Sequence, residues 1–396
     1  MKEPWFTVFS ENVMRIWRDF CTFTGKLSKN TEIPIQIMNR KEFLQASALL
    51  LPASAWGMTH ASTQENSANM QENYLASPSY LKSSQRLKFN ANGKFKIVQF
   101  TDVHWAPGNA ASEVAAERIA EVLDAEKPDF VEFTGDIIWG KPGIESLKRT
   151  FAPVVERNIP FAMTFGNHDD EQDLSRKDIH EQLKHFAGNL NGTVEGLSGV
   201  SNFILPIRSS DGSKDAFILY HFDSHAYSQM KEQVDGYDWI KADQIAWYRS
   251  CSDELKAKNG GKTLPALAFF HIPLPEYNYA AQQENALLIG IRKEAACAPK
   301  INSGLFTAML EKGDVMGTFV GHDHVNDYVT TWKGILLGYG RYTGGKTVYC
   351  DIPWGNGARV IELTEGKREL DSWIRLKGGR IESRFHYPTD FSKEPW

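Results

Sequence analysis

The sequence predicts an α/β fold with mixed sheets, and three observations favour it. From residue 94 onward, short runs of β-branched and aromatic residues alternate with amphipathic segments. The first segments follow the order βαβαβ, with connections long enough to join parallel strands. The C-terminal part contains three further apolar runs joined by glycine-containing turns, which is typical of an antiparallel meander.

The first predicted strand covers 94–101, and a helix capped by Ser112 follows it. The apolar face of this helix is formed by Ala115, Ile119, Val122 and Leu123. The next elements are a strand at 130–134, a helix from 143 to about 157 and a strand at 161–164. These strands are almost continuously apolar, as expected for parallel strands that are buried on both faces.

The later strands of the prediction fall into two groups. The first group covers 217–222, 264–270 and 315–320. The second group covers 358–363, 369–376 and 380–386. Glu365-Gly366 and Gly378-Gly379 provide the turns of the second group, so its strands are expected to pair antiparallel and to close one side of the fold.

Composition and charge exclude several classes of protein. The 396 residues are 42% hydrophobic, and 44 Lys+Arg against 49 Asp+Glu give a formal net charge of -5. This composition is that of a globular chain rather than of a disordered one. Without a sustained basic run, the sequence has no electrostatic footprint for nucleic acid. No segment is predicted to cross a membrane.

The N-terminal part is interpreted as a targeting region. Residues 43–56 are apolar but too short to span a bilayer, basic residues precede them from Met38 onward, and Ala53-Ser54-Ala55 matches a signal-peptide cleavage site. The predicted organisation is an upstream leader, a signal peptide, a polar tether and a folded domain, at 1–37, 38–55, 56–87 and 88–390. This predicts an extracytoplasmic location, periplasmic or secreted. The alternative is that the leader forms an amphipathic helix packed on the body of the protein.

Three cysteines remain after the predicted cleavage. They are Cys251, Cys297 and Cys350, an odd number that allows at most one internal disulfide. Cys297 and Cys350 could pair in an extracytoplasmic protein, but their spacing does not establish this. The chain is therefore not expected to depend on a disulfide scaffold.

Metal-binding residue types directly follow five of the predicted strands. They are Asp102 and His104, then Asp136, then Asn167, His168 and Asp169, then His271, and finally His322 and His324. Ligands of open α/β sheets collect beyond the carboxyl ends of the strands, so these segments are expected to converge. A single histidine after a strand is more often a hydrogen-bonded structural residue. Nitrogen and oxygen donors without cysteine, delivered by five segments, instead suit two ions of Mn, Fe or Zn.

The ordered set, above all Gly166-Asn167-His168-Asp169 and Gly321-His322-Asp323-His324, resembles the calcineurin-like metallophosphoesterase family over residues 95 to about 345. The stretches 321–328 and 339–345 look like its single-domain branch related to purple acid phosphatases. The resemblance implies a four-layer α/β/β/α sandwich. It also implies a phosphoric ester hydrolase that acts on phosphomonoesters, small or polymer-borne, with a metal-bridging hydroxide as nucleophile, and the predicted signal peptide makes this a secreted enzyme. A phosphodiesterase with the same site and a catalytically silent metal-binding protein remain the alternatives.

The resemblance also implies roles for individual residues. The first metal would be bound by Asp102, His104 and His324. The second metal would be bound by Asn167, His271 and His322. Asp136 would bridge the two metals. The residue types agree with this, because carboxylates partly neutralise a metal pair while neutral imidazoles keep it Lewis acidic.

Four further positions complete the predicted site. His168 looks like the family's general acid, and Asp169 would orient its imidazole. Trp139 stands where purple acid phosphatases have a tyrosine ligand, so the tyrosinate colour of those enzymes is expected to be absent. Arg341 could hold a phosphate oxygen, or it could support a turn.

Overall fold

The computed structural model describes residues 86–391, which form twelve strands and six α-helices. The strands in chain order are β1 Lys94–Phe100, β2 Phe130–Thr134, β3 Phe161–Thr164, β4 Phe203–Arg208, β5 Asp215–His221, β6 Ala266–Phe269, β7 Val315–Val320, β8 Val329–Trp332, β9 Ile335–Tyr339, β10 Gly357–Thr364, β11 Leu370–Leu376 and β12 Ile381–Tyr387. The predicted leader, signal peptide and nearly all of the tether lie outside the described residues.

The strands form two six-stranded mixed sheets. The first sheet has the order β12-β11-β10-β1-β2-β3, in which β1, β2 and β3 are parallel and the C-terminal strands add an antiparallel meander at β1. The second sheet has the order β4-β5-β6-β7-β9-β8, with β5, β6, β7 and β9 parallel and an antiparallel strand at each edge. This confirms the predicted α/β class, its mixed sheets and its meander.

The helices cover the outer faces of the two sheets. They are α1 Ala110–Glu126, α2 Gly143–Glu156, α3 Arg176–Leu183, α4 Ala242–Lys258, α5 Glu276–Ala281 and α6 Leu305–Lys312. One apolar cluster joins α1, α2 and α3 to the first sheet, and another joins α4, α5 and α6 to the second. A third cluster lies between the sheets and includes Ile97 of β1, Leu219 of β5 and Phe269 of β6. The layers are therefore α/β/β/α, as the resemblance implies.

The start of α1 differs from the prediction. Asn109, not Ser112, is the N-cap, and its side chain accepts a hydrogen bond from the backbone N–H of Ala111. Ser112 lies inside the helix, where its hydroxyl contacts the backbone of Ala106. Either residue type can cap a helix, so the hydrogen bond made by Asn109 decides the position. The predicted buried face of α1 is confirmed.

Two general features concern membrane crossing and disulfides. Within 86–391, every helix is too short or too polar to cross a bilayer. The thiols of Cys251, Cys297 and Cys350 are all free in this part of the chain.

Candidate metal centre

Four loops at the carboxyl ends of strands bring six of the seven predicted ligands into two clusters. The loops after β1, β2, β6 and β7 carry these six, and the loop after β3 carries Asn167, the seventh. The first cluster consists of Asp102, His104, Asp136 and His324. The second consists of Asp136, His271 and His322. Within each cluster one ligand atom per residue lies within 4.8 Å of the others, and all these residues are buried. Asp136 belongs to both clusters, which is the arrangement of a bridging ligand.

The donor atoms face one another at short range. In the first cluster, the Nε2 atoms of His104 and His324 are 3.0 Å apart. In the second, His271 Nε2 lies 3.2 Å from His322 Nδ1. Asp136 Oδ2 lies between the clusters, 3.7 Å from His104 Nε2 and 3.2 Å from His271 Nε2. One carboxylate oxygen can therefore serve both groups of imidazoles.

The backbone adopts uncommon conformations to present these side chains. Four of the predicted ligands have a positive φ, namely Asp102 (53°), His104 (47°), Asp136 (54°) and His322 (81°). Non-glycine residues seldom adopt this region, and such strain concentrates at functional sites. The neighbouring glycines are required for space, because a Cβ on Gly166 would overlap the Asp136 carboxylate. This gives a physical reason for the glycine of the Gly-Asn-His-Asp motif.

Burial and the two carboxylates set the charge states of the imidazoles. Burial lowers the pKa of His104 and of His322 to about 3, so both rings are neutral at pH 7 and keep a free lone pair. Burial also lowers the pKa of His271, but Asp136 and Asp102 outweigh this and raise it to about 9. Burial alone would raise the pKa of Asp136. His271 and His104 together outweigh burial, so the pKa of Asp136 lies well below its ordinary value.

These donors fit a pair of divalent cations. Two nitrogen atoms that face each other at 3.0 Å can share at most one proton, whereas a cation can accept both lone pairs. Asn167 Oδ1 is buried and has no hydrogen-bond partner within 86–391, which is costly unless a cation compensates it. In metal sites, the ring nitrogen of a histidine that does not bind the metal usually bonds to a carbonyl or carboxylate group, which fixes the ring. Two rings show this contact, since His271 Nδ1 lies 2.7 Å from Thr134 O and His324 Nδ1 lies 3.0 Å from Tyr349 O.

His168 lies beside the clusters, and its partner differs from the predicted one. Its ring contacts the rings of His104 and Trp139, with centroids 5.6 and 4.8 Å away. Its Nδ1 lies 2.6 Å from Glu171 Oε2. The predicted orienting role of Asp169 is therefore wrong.

Asp169 has another function. Its carboxylate accepts hydrogen bonds from the backbone N–H groups of Gly166, Asp136, Ile137 and Ile138, at 2.7 to 3.1 Å. Because four amides use both of its oxygens, this side chain fixes the Asp136 loop against the Asn167 loop instead of contacting the imidazole. The resemblance implied a contact between Asp169 and His168, whereas the structure pairs the imidazole with Glu171 and the Asp169 carboxylate with backbone amides.

Arg341 does not bind phosphate, which corrects the first of its two predicted roles. The side chain is fully buried and pairs with Asp327. Its guanidinium also donates to the backbone carbonyls of Pro353 and Gly355. All three of its nitrogen atoms are thus occupied, and Arg341 supports the turn that precedes β10.

Sequence reasoning missed Glu171, Tyr227 and Tyr349. Glu171 follows His168 at a spacing of three, a weak signal that was available. Tyr227 contacts Asn167 and Glu171 from 60 and 56 residues away, and Tyr349 packs its ring against His324 with centroids 4.4 Å apart. No local pattern marks these tyrosines, because long-range packing alone brings them to the site.

Comparisons with known proteins agree with this geometry. The family model for calcineurin-like phosphoesterases matches residues 95–326. The chain is 34% identical to the probable inactive purple acid phosphatase 29 of Arabidopsis thaliana, covering 74% of this chain and 82% of the relative. It is 36% identical to the phosphatase DCR2 of Saccharomyces cerevisiae, covering 76% of this chain and 56% of the relative. A dimetal phosphatase from Danio rerio has a similar fold, with a TM-score of 0.52 and 12% identity, covering 74% of this chain and 98% of that structure.

Proposed function

The chain belongs to the calcineurin-like phosphoesterase family, and on this basis we propose that it is a metal-dependent phosphomonoesterase. The observation that carries the proposal is the pair of buried clusters that share Asp136. Every predicted ligand position is filled by a residue that can bind a metal, and six of the seven belong to these clusters. The seventh, Asn167, offers the unpaired buried oxygen.

The proposed division of the ligands follows the two clusters. The first ion would be held by Asp102, His104, Asp136 and His324. The second would be held by Asp136, Asn167, His271 and His322. When bound, such a pair supplies Lewis acidity toward phosphoryl oxygens and toward water. Manganese, iron and zinc all suit these nitrogen and oxygen donors.

His168 is proposed to protonate the leaving oxygen of the ester. Because Glu171 contacts Nδ1, the proton on that nitrogen is held by a carboxylate and Nε2 is the nitrogen left for the substrate. The side chain of His168 is 24% exposed, whereas the cluster histidines are almost fully buried. A partly exposed imidazole at the edge of the clusters suits a group that meets the departing alcohol.

A catalytically silent metal-binding protein is the competing function. The relative from Arabidopsis thaliana is named probable inactive, which favours this alternative. The complete donor set and the adjacent His168 favour catalysis. The name of the yeast relative, a phosphatase, supports monoesters over diesters as substrates.

The test is turnover of an alkyl phosphate, 4-nitrophenyl phosphate and a phosphodiester by protein reconstituted with Mn, Fe or Zn. We expect monoesterase activity. We expect His168→Ala to retain two metals and to lose about 10²–10⁴ in turnover of the alkyl phosphate, with a much smaller loss for the nitrophenyl ester, whose leaving group hardly needs a proton.

The exposed His185 on the turn after α3 provides the matched control, and His185→Ala is expected to behave as the wild type. Loss of a metal in His168→Ala, or equal losses on both monoesters, would contradict the general-acid role. A fully metallated wild type without turnover of any ester would favour the silent protein.

A further inference from the structure

Three hydrogen bonds connect His168 to Asn167 through Glu171 and Tyr227. Glu171 Oε2 lies 2.6 Å from His168 Nδ1, and Glu171 Oε1 accepts from the Tyr227 hydroxyl at 3.0 Å. The Tyr227 oxygen in turn accepts from Asn167 Nδ2 at 3.3 Å. The other polar atom of this amide, Oδ1, is buried without a hydrogen-bond partner in the described part of the chain.

Glu171 sets the direction of these bonds. An ionised carboxylate can only accept, so Tyr227 must give its single hydroxyl proton to Glu171. The tyrosine oxygen is then free only to accept, and the part of the Asn167 side chain that faces it must be the NH2 group. The carbonyl oxygen Oδ1 is consequently the amide atom that remains for the second cluster.

The position of Tyr227 is fixed independently of this chain of bonds. Its ring stacks on Tyr237, with centroids 5.7 Å apart and an interplanar angle of 23°. The ring of Tyr237 packs edge-on against His322 of the second cluster, with centroids 4.4 Å apart. The Tyr227 hydroxyl is therefore held on the side of the second cluster.

We propose that Tyr227 is a positioning residue that, with Glu171 as its acceptor, holds the Asn167 amide so that Oδ1 binds the second metal. This rests on the proposed function only in treating the second cluster as a metal site. Partners that orient metal ligands in this way are typically worth about 10–100-fold in metal affinity. Without the tyrosine oxygen, the two ends of the amide become nearly equivalent and the ligand orientation is lost.

The direct test is the zinc affinity of Tyr227→Phe, measured by competition with a chromophoric chelator. Loss of one binding step in His322→Ala identifies the step that belongs to the second cluster. We expect the dissociation constant of that step to rise about 10–100-fold in Tyr227→Phe, and the other step to remain unchanged. Tyr279→Phe makes the same chemical change at an exposed tyrosine of α5 and is expected to keep both affinities.

Repeating the measurement in the Asn167→Asp protein separates an orienting role of Tyr227 from a packing role. A carboxylate offers an oxygen whichever way it is turned, so Asn167→Asp should no longer need Tyr227. We expect Tyr227→Phe to change the affinity of the second step by less than about threefold in the Asn167→Asp protein. The non-additivity of the two changes is the signature of an orienting contact.

Two results would overturn the proposal. One is an unchanged second affinity in Tyr227→Phe. The other is an equal loss from Tyr227→Phe in the wild-type and Asn167→Asp backgrounds, since a packing role would act on both. The affinities are measured without substrate, so an inactive wild type would refute the proposed phosphatase function without deciding on Tyr227.

Discussion

Asp136 is the carboxylate common to both clusters, and its replacement should affect both metals. In Asp136→Asn the negative charge between the imidazoles is lost, together with the shared ligand oxygen. We expect fewer than two metals per chain after reconstitution and a loss of activity. Elemental analysis of the purified protein measures this, and Asp235→Asn at an exposed ion pair is the control. Two full metals in Asp136→Asn would exclude the bridging role.

Arg341 illustrates how burial changes the meaning of a single residue. Its guanidinium is fully buried against Asp327, so Arg341→Ala leaves a buried carboxylate without its cation. We expect the free energy of unfolding to fall by about 3–5 kcal/mol, measured by urea denaturation.

Arg149 provides the contrast, because its ion pair with Glu113 is half exposed, with side-chain exposures of 47% and 53%. Arg149→Ala should cost only about 0–1 kcal/mol. An Arg341→Ala protein of normal stability with a raised KM would restore the phosphate-binding role.

At the scale of elements, a buried contact between a carboxyl group and an imidazole joins the two sheets inside their shared core. Glu132 of β2 lies 2.9 Å from His221 of β5 through Oε2 and Nε2, and both side chains are fully buried. Burial raises the pKa of Glu132 well above its ordinary value and lowers the pKa of His221 to about 3. Both shifts favour the uncharged forms, so we expect this contact to be a hydrogen bond between a neutral carboxyl group and a neutral imidazole.

Glu132→Gln should remove a pH dependence of stability. Because the folded protein binds a proton at Glu132 above pH 4.5 and the unfolded chain does not, this group's stabilisation is complete below pH 4.5 and decreases as the pH rises. We expect the wild type to lose up to about 1.4 kcal/mol per pH unit relative to the variant in this range. Urea denaturation at several values from pH 5 to 8 measures it.

Glu181→Gln, at an exposed position of α3, is the control for this comparison. Its stability curve should run parallel to that of the wild type between pH 5 and 8. If the free energy of unfolding of Glu132→Gln also changes with pH as that of the wild type does, the buried glutamate is ionised in the folded protein.

The elements also show where sequence patterns succeed and fail. The bounds of β2, β3 and β7 could be predicted because each is a mostly apolar run that ends at a glycine, a polar residue or both. β4 was missed because Pro206 interrupts its pattern, yet the strand lies at a sheet edge, where a residue without an N–H is tolerated. The prediction also lacked β8, which lies at the opposite edge of the same sheet and pairs with β9.

At the scale of the whole molecule, the N-terminal region yields a separate prediction. The basic start at Met38, the apolar core and the Ala53-Ser54-Ala55 site indicate that the exported protein lacks everything before about residue 56. We propose on this basis an extracytoplasmic location. Mass spectrometry of protein recovered outside the cytoplasm measures the mature N-terminus. Recovery there of a chain that still carries residues 1–37 would refute the processing prediction.

The sequence by itself determined the α/β class, the meander and the identity of the clustered donors. It could do so because strand ends are marked locally, by apolar runs followed by Asp, Asn or His, and because the carboxyl ends of parallel strands meet at one edge. Asp102, Asp136 and His271 illustrate this, since each follows its strand directly or nearly so.

Only the tertiary structure decided which neighbours these residues have. Asp169 and Arg341 carry charges that sequence reasoning assigned to catalysis, but their partners are backbone groups and a buried carboxylate. Glu171 and Tyr227, which contact His168 and Asn167, were not identified at all. The physical reason is that a hydrogen bond depends on separations of about 3 Å, which turns and long-range packing set and residue order does not.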